Sequence, residues 1–317
     1  MSEMRITRRE ALRVGVGAGV VPAMAAGALA GSGGKRAGDL TIGMATNDFR
    51  GHSNAQLAKE LAAEGVRTVQ LFLTQTDSNY WLYNGRNDVS DLTEGRCRQI
   101  ADAYRSAGVS IHSIGVYTNL IHPDAAERKA NMAYFEAMMQ VGAHMKVNVF
   151  ITEAGHYYDP NKPAPAVEHH FQEEVWKQMV ETGRELAAMA ERYGATVLFE
   201  PFHRHFFASA KRTRVFLEEI NSPRIRALLD PANLLEVNDV GEMFDQLGPW
   251  IDCLHAKDRK LHVDRGVPAG QGDLDYARFV ALAAERTPHA PLILEYVGED
   301  NYRQALAHLR RVIQQAT

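Results

Sequence analysis

Thr196-Val197-Leu198-Phe199-Glu200, Ala227-Leu228-Leu229-Asp230, Ile251-Asp252-Cys253-Leu254-His255 and Leu292-Ile293-Leu294-Glu295 are four short apolar runs in the second half of the chain. Each ends in a side chain that can bind a divalent metal. The gaps between them leave room each time for a loop, a crossover helix and the next strand. Runs of this kind are parallel strands buried on both faces, and polar atoms at their C-terminal ends face the usual site of α/β proteins. Two glutamates, an aspartate and a histidine converging there would hold a hard or borderline cation.

Working outward, the same alternation covers everything from Leu40 onward. Further strand-like runs are Leu40–Ala45, Thr68–Leu73, Ser110–Val116 and Lys146–Ile151. Between the runs lie helix-like segments at Asn54–Glu64, Thr93–Ala107, Ala125–Val141, Glu168–Tyr193, Ala210–Ile220, Val240–Leu247, Tyr276–Arg286 and Tyr302–Gln315. Gly65, Gly108 and Gly194 stand between a helix and a strand, where a left-handed cap is expected. Eight strands, each followed by a helix, make an α/β fold of the (β/α)8 TIM-barrel type the economical solution. A doubly wound dinucleotide fold would need a Gly-rich turn after the first strand, and Thr46-Asn47-Asp48 stands there instead. No linker divides the region, so residues 35–317 read as one catalytic domain. Long βα loops follow strand four (Glu153–Val167) and strand seven (Lys257–Asp275), where barrels build their sites.

The chain has 317 residues, a formal net charge of −4 and 45% hydrophobic residues, which is ample for one core. With no basic block beyond the N-terminus, nucleic acid is not an expected partner. Cys97 and Cys253 are the two cysteines; one sits in a helix pattern and the other in an apolar strand, so neither a disulfide nor a zinc ribbon is expected. Residues 1–34 are different material. Thr7-Arg8-Arg9-Glu10-Ala11-Leu12-Arg13 precedes an uncharged stretch from Val14 to Ala30, closed by Ala28-Leu29-Ala30 and a Gly/Ser linker. That pattern describes an export signal, and its paired arginines resemble the twin-arginine type. It implies a periplasmic or extracellular protein with no stable membrane span once the signal is removed; the competing reading is an apolar anchor.

Phe199-Glu200-Pro201, Leu229-Asp230-Pro231-Ala232-Asn233-Leu234, Leu254-His255-Ala256-Lys257-Asp258, Leu294-Glu295-Tyr296 and Gly270-Gln271-Gly272-Asp273-Leu274-Asp275-Tyr276 together resemble the xylose isomerase-like TIM-barrel superfamily. The resemblance is to its sugar phosphate isomerase/epimerase group, which includes ketose 3-epimerases and inosose dehydratases. It implies a metal site of Glu200, Asp230, His255 and Glu295, with Glu200 and Glu295 also exchanging protons with the substrate. The implied cofactor is a divalent ion, Mn²⁺, Mg²⁺ or Co²⁺, with Zn²⁺ also compatible. A cation held by a ketone and its neighbouring hydroxyl favours loss of the adjacent proton, and two carboxylates with different environments can serve as base and acid.

The departures from the group are specific. Asn233 replaces a histidine that several epimerases carry three residues after the aspartate. Leu261 replaces a substrate-binding arginine. His262-Val263-Asp264 reverses the D-x-H order of the endonuclease IV relatives, which argues against a DNA-repair hydrolase. Lys257, in an H-x-K-D run like that of inosose dehydratases, is a candidate for a substrate oxygen or a leaving hydroxyl; the plain alternative is a surface lysine paired with Asp258. His203, His156 and Asn233 are further substrate-contact candidates, ahead of His205. His112 reads as a barrel-interior residue, His169-His170 as an exposed helix start, and Tyr80-Trp81 as an apolar lid or simple loop packing.

The function expected from these residues is a metal-dependent sugar isomerase or epimerase acting on a small carbohydrate. A lyase acting on a keto-sugar, keto-inositol or 3-keto-glycoside is the alternative, and a non-catalytic sugar-binding barrel stands behind both. The absence of a phosphate-binding glycine loop gives no sign of a phosphorylated substrate. Related barrels are often homo-oligomers.

Overall fold

The computed structural model describes residues 37–155, 167–263 and 265–316. The segment expected to be an export signal with its linker, and His156, lie outside these residues. Eight parallel strands close on themselves: β1 (Ile42–Ala45), β2 (Thr68–Leu71), β3 (Ser110–Gly115), β4 (Val149–Thr152), β5 (Thr196–Phe199), β6 (Ile225–Leu229), β7 (Ile251–Arg259) and β9 (Leu292–Leu294). Neighbours pair in chain order, β6 pairs with β7, and β9 pairs with both β7 and β1. The (β/α)8 barrel expected from the alternation is the fold.

The helices are α1 (Asn54–Ala63), α2 (Glu94–Ser106), α3 (Ala125–Met145), α4 (Glu173–Tyr193), α5 (Ala210–Ile220), α6 (Pro231–Leu234), α7 (Val240–Leu247), α8 (Tyr276–Arg286) and α9 (Tyr302–Gln315). Their starts are set by local chemistry. Ser53 with Gln56 and Asp239 with Glu242 form reciprocal capping boxes, and Asp124, Ser209 and Asp275 accept from backbone amides in the first turn. Gly194 ends α4 at φ 60°, the left-handed conformation anticipated there. No helix among the described residues is long and apolar enough to cross a membrane.

Several boundaries shift by a residue or two, and three differ by more. Helix α3 continues to Met145 and stops only at Lys146, which takes φ 61°, so β4 starts at Val149 rather than Lys146. The segment before α4 is a 3-10 turn, Val167–Phe171, and His170 is not exposed but 1% accessible. It tucks beneath the β5–α5 loop, where its carbonyl accepts from Arg212 Nη2 at 2.8 Å and its ring meets His205 edge-on at 6.2 Å. Strand β7 runs four residues past His255 to Arg259 because an added strand, β8 (Gly266–Pro268), pairs antiparallel with its end. That extension carries Lys257 into the barrel, since residues two apart on a strand share a face.

Apolar side chains fall into two groups. A large one fills the shell between sheet and helices. A small one is the barrel interior, with one residue from each barrel strand or just beyond it: Ala45, Phe72, Tyr117, Ile151, Leu198, Leu228, Cys253 and Ile293. Cys97 belongs to the shell and Cys253 to the interior, and both are buried free thiols.

Candidate metal centre and its cavity

One step of the pleat above the interior layer places polar residues on the same inward face. From Leu198, Leu228, Cys253 and Ile293 the step leads to Glu200, Asp230, His255 and Glu295; from Ile151 it leads to Glu153. One ligand atom from each of Glu200, Asp230, His255 and Glu295 lies within 4.8 Å of all the others. Two atoms each about 2.1 Å from one ion can be at most about 4.2 Å apart, so closing the set takes shifts of a few tenths of an ångström. His255 Nδ1 is at the centre, 3.2 Å from Glu200 Oε1, 3.5 Å from Glu295 Oε2 and 3.9 Å from Asp230 Oδ2.

Asp230 performs two tasks at once. Its Oδ1 caps α6 by accepting from the amide of Ala232 at 2.9 Å, while Oδ2 faces the cluster. Among the described residues no donor reaches Oδ2 in hydrogen-bond geometry; what stands 2.7 Å away is the Lys257 ammonium, which is also 2.9 Å from Glu295 Oε2. Lys257 is therefore 3% accessible and engaged with the cluster. It is not paired with Asp258, whose carboxylate instead accepts from the amides of Arg259, Gly270 and Leu274.

The charges test whether an ion fits. Three buried carboxylates against one ammonium leave two negative charges, and uncompensated charge in a buried site is costly. Burial by itself would push His255 down, but the fields of Glu295 and Glu200 outweigh it and hold the ring at about 9, so the imidazole takes up a proton in partial compensation. Burial presses Asp230 upward, with Lys257 opposing it, whereas His255 and Lys257 overcome the burial of Glu200 and keep it below its ordinary value. A divalent cation cancels the two charges without that proton. The donor set, one imidazole nitrogen and three carboxylates, suits such an ion.

Each half of the barrel supplies something to the cluster. His255 Nε2 donates to Gln70 Oε1 at 2.7 Å, which turns Nδ1 toward the carboxylates; with a cation in place of the proton, its lone pair would face the ion. Glu200 is held on both oxygens, by Asn233 Nδ2 at 2.8 Å and Tyr117 Oη at 2.6 Å. Glu295 has one hydrogen-bonding neighbour among the described residues, Lys257. The next residue, Tyr296, adopts φ 58°, a strained conformation for a non-glycine that turns its ring over the Lys257 ammonium, 4.5 Å from the ring centroid.

Through Glu200 and Glu295 the cluster opens onto a cavity of about 460 Å³. Phe72, Trp81, Tyr83, Tyr117, Phe202 and Tyr296 supply aromatic surface, and Asn47, Asp48, Glu153, His205 and Arg265 supply polar atoms. Of the residues expected to meet a substrate, Lys257 and Asn233 line the cavity. His203 does not; its Nδ1 bonds the Asn233 carbonyl at 2.9 Å and braces the turn. His205 takes the position instead, its Nδ1 3.2 Å from Glu153 Oε2. His112 is half-buried and bonded to Ser113 Oγ at 3.1 Å. Gln70, Tyr117, Glu153 and Arg265 were not singled out in the sequence. A glutamine within the buried run Thr68-Val69-Gln70-Leu71 was the available signal for the first of them.

Residues 58–312 match the family model described as the xylose isomerase-like TIM barrel, and the chain belongs to that family. Among solved structures it is similar to 3-keto-D-glucoside 4-epimerase from E. coli, at 15% identity over 86% of this chain and 99% of that one, with a TM-score of 0.66. It is similar to a probable 3-DHS dehydratase from Bacillus anthracis, at 18% identity over 87% and 99%, TM-score 0.65. It is also similar to a xylose isomerase-like TIM-barrel protein from Mycobacterium smegmatis in complex with magnesium, at 14% identity over 89% and 98%, TM-score 0.65. At these identities the likeness is one of fold. Comparison with curated proteins gives no match.

Proposed function

We propose that this protein is a metal-dependent isomerase or epimerase of an unphosphorylated keto-sugar. The observation that carries the reading is the meeting of Glu200, Asp230, His255 and Glu295 within 4.8 Å beside an aromatic-walled cavity. These four side chains would hold a divalent ion, Mn²⁺, Mg²⁺ or Co²⁺, which when bound polarises a carbonyl and the hydroxyl beside it. Glu295, hydrogen-bonded to Lys257 and 3.5 Å from His255 Nδ1, takes the proton from the carbon next to the carbonyl. Glu200 stands beyond His255, fixed by Tyr117 and Asn233, and exchanges a proton from its own side. The Lys257 ammonium, 2.9 Å from Glu295 Oε2, fixes where that carboxylate stands. We infer export from the arginine-paired leader alone.

A lyase is the second reading, favoured by the buried Lys257 ammonium beside Glu295, where it can donate to a departing oxygen one carbon further on. Incubation of metal-loaded protein with keto-sugars in D₂O, followed by NMR, tests both readings. Solvent deuterium entering the sugar carbon without a new chromophore supports isomerisation or epimerisation; an enone absorbance supports elimination. Glu295→Gln is expected to lower the exchange rate by about 10³-fold or more while circular dichroism stays native. Unchanged deuterium incorporation in that variant would remove Glu295 from its assigned role.

A further inference from the structure

The cavity has a second end that the proton chemistry does not use. Four rings form a continuous wall running away from the metal cluster. Phe72 and Tyr117 stack at 5.6 Å, Trp81 meets Phe72 edge-on at 5.3 Å, and Tyr83 lies 6.2 Å from both Trp81 and Tyr117. Tyr117 touches Glu200, so the wall begins at the cluster; Tyr83 is 44% exposed and marks the mouth. From the wall we infer that the substrate is a neutral two-ring glycoside: the keto-sugar ring sits at the metal cluster, and a second ring stacks on Trp81 and Tyr83. This rests on the keto-sugar reading above and names the substrate class for the same site.

Three observations carry it. The segment bearing Trp81 and Tyr83 is built rather than loose. The amides of Tyr80 and Trp81 both donate to the Leu73 carbonyl, at 2.7 and 3.0 Å, and Arg86 reaches Asn131 at 2.6 Å and Glu127 at 2.9 Å on α3. Tyr80 points away, to Asp91 at 2.9 Å, leaving the platform to Trp81 and Tyr83. An ordered aromatic face costs little entropy when a ligand docks on it, and the C–H face of a pyranose matches it. Second, the Trp81 indole N–H, shielded from water, has no acceptor among the described residues. A sugar oxygen reached by a small shift of the ring satisfies it, and buried donors are rarely left orphaned.

The third observation is charge. The polar groups at this end are Glu153, which accepts from Tyr83 Oη at 2.8 Å, and His205 beside it. A phosphate or carboxylate on the outer unit would face the Glu153 carboxylate. Of the cations lining the cavity, Lys257 is taken by Asp230 and Glu295, and Arg265 also lines the neighbouring hollow with Asp48 and Tyr296. Hydroxyl groups suit the outer end and anions do not.

The test compares a keto-hexose with the disaccharide in which the same keto-hexose unit carries a second hexose. With magnesium- or manganese-loaded protein, kcat/KM for deuterium exchange is expected to be at least about 30-fold higher for the disaccharide. In Trp81→Ala and in Tyr83→Ala, whose ring is already largely at the surface, that ratio is expected to fall at least about tenfold. A binding arm needs no turnover: calorimetry with an unoxidised disaccharide and its monosaccharide should give the tighter Kd for the disaccharide, weakened by Trp81→Ala. Equal constants for one and two rings, or a ratio unmoved by both variants, overturns the inference. Preference for the two-ring sugar in binding with no exchange on any keto-sugar keeps the subsite and sinks the proton chemistry.

Discussion

Strands β5, β6, β7 and β9 and strands β1 to β4 build opposite halves of one cavity from different materials. The later strands end in Glu200, Asp230, His255 and Glu295, with Lys257 above them: charge, placed at a single point. The earlier strands lead into Phe72, Trp81, Tyr83 and Tyr117: surface, spread along a wall. The contrast teaches that the two halves are energetically unlike. Charged groups taken out of water must compensate each other almost completely, so each member constrains the rest. Rings buried against rings contribute by area and tolerate smaller changes.

Removing Lys257 is the sharpest way to break the balance of the charged half. Lys257→Met retains the length of the stem but leaves Asp230 and Glu295 without their cation. In chelator-treated protein, urea denaturation is expected to show a loss of about 3–5 kcal/mol, the usual cost of orphaning a buried charge. Excess magnesium should recover part of it, because the ion supplies compensating charge and binds only the folded state. A loss under 1 kcal/mol, or no recovery with metal, would mean the cluster does not behave as one charged unit.

Gln70 is where the two halves meet, a residue of β2 serving a side chain of β7. Gln70→Leu removes the acceptor that orients His255, and metal affinity measured by calorimetry is expected to drop about 10–100-fold. Equal affinity in the variant would show that the carboxylates alone orient the ring.

The smallest effect is expected away from the cavity, at His112 in β3. Burial depresses its pKa to about 4, with Asp252 pulling weakly the other way. The unfolded chain binds this proton near pH 6.5 and the folded one does not, so stability falls as pH drops from about 6.5 toward about 4 and is unaffected above that window. Between pH 6.5 and 5.5 the contribution is at most about 1 kcal/mol. His112→Asn should flatten that part of the curve of midpoint against pH; an unchanged slope would assign the acid sensitivity to other groups.

Much of the charged half was legible in the chain. A strand buried on both faces leaves an apolar run, and a ligand at its end interrupts the run abruptly, so Glu200, Asp230, His255 and Glu295 stood out singly and in succession. The aromatic half left a weaker mark: of the Tyr80-Trp81 pair noted in the sequence, Trp81 lines the cavity, while Phe72, Tyr83 and Tyr117 gave no sign. Tyr117 and Trp81 follow ordinary strand ends, and rings in loops carry no period. The longer β7 was hidden for a similar reason: its extension depends on pairing with β8, which starts seven positions after β7 ends and folds back beside it.

Sequence alone therefore determined the barrel and the four strand ends that face one another, because hydrophobic periodicity and strand-end chemistry are local properties of the chain. Only the tertiary structure decided that Lys257 turns inward, that Gln70 and Tyr117 hold His255 and Glu200, and that His205 rather than His203 lines the cavity. Those contacts join strands and loops far apart in the chain, and their geometry follows from the stagger of a closed sheet, which no one-dimensional pattern encodes.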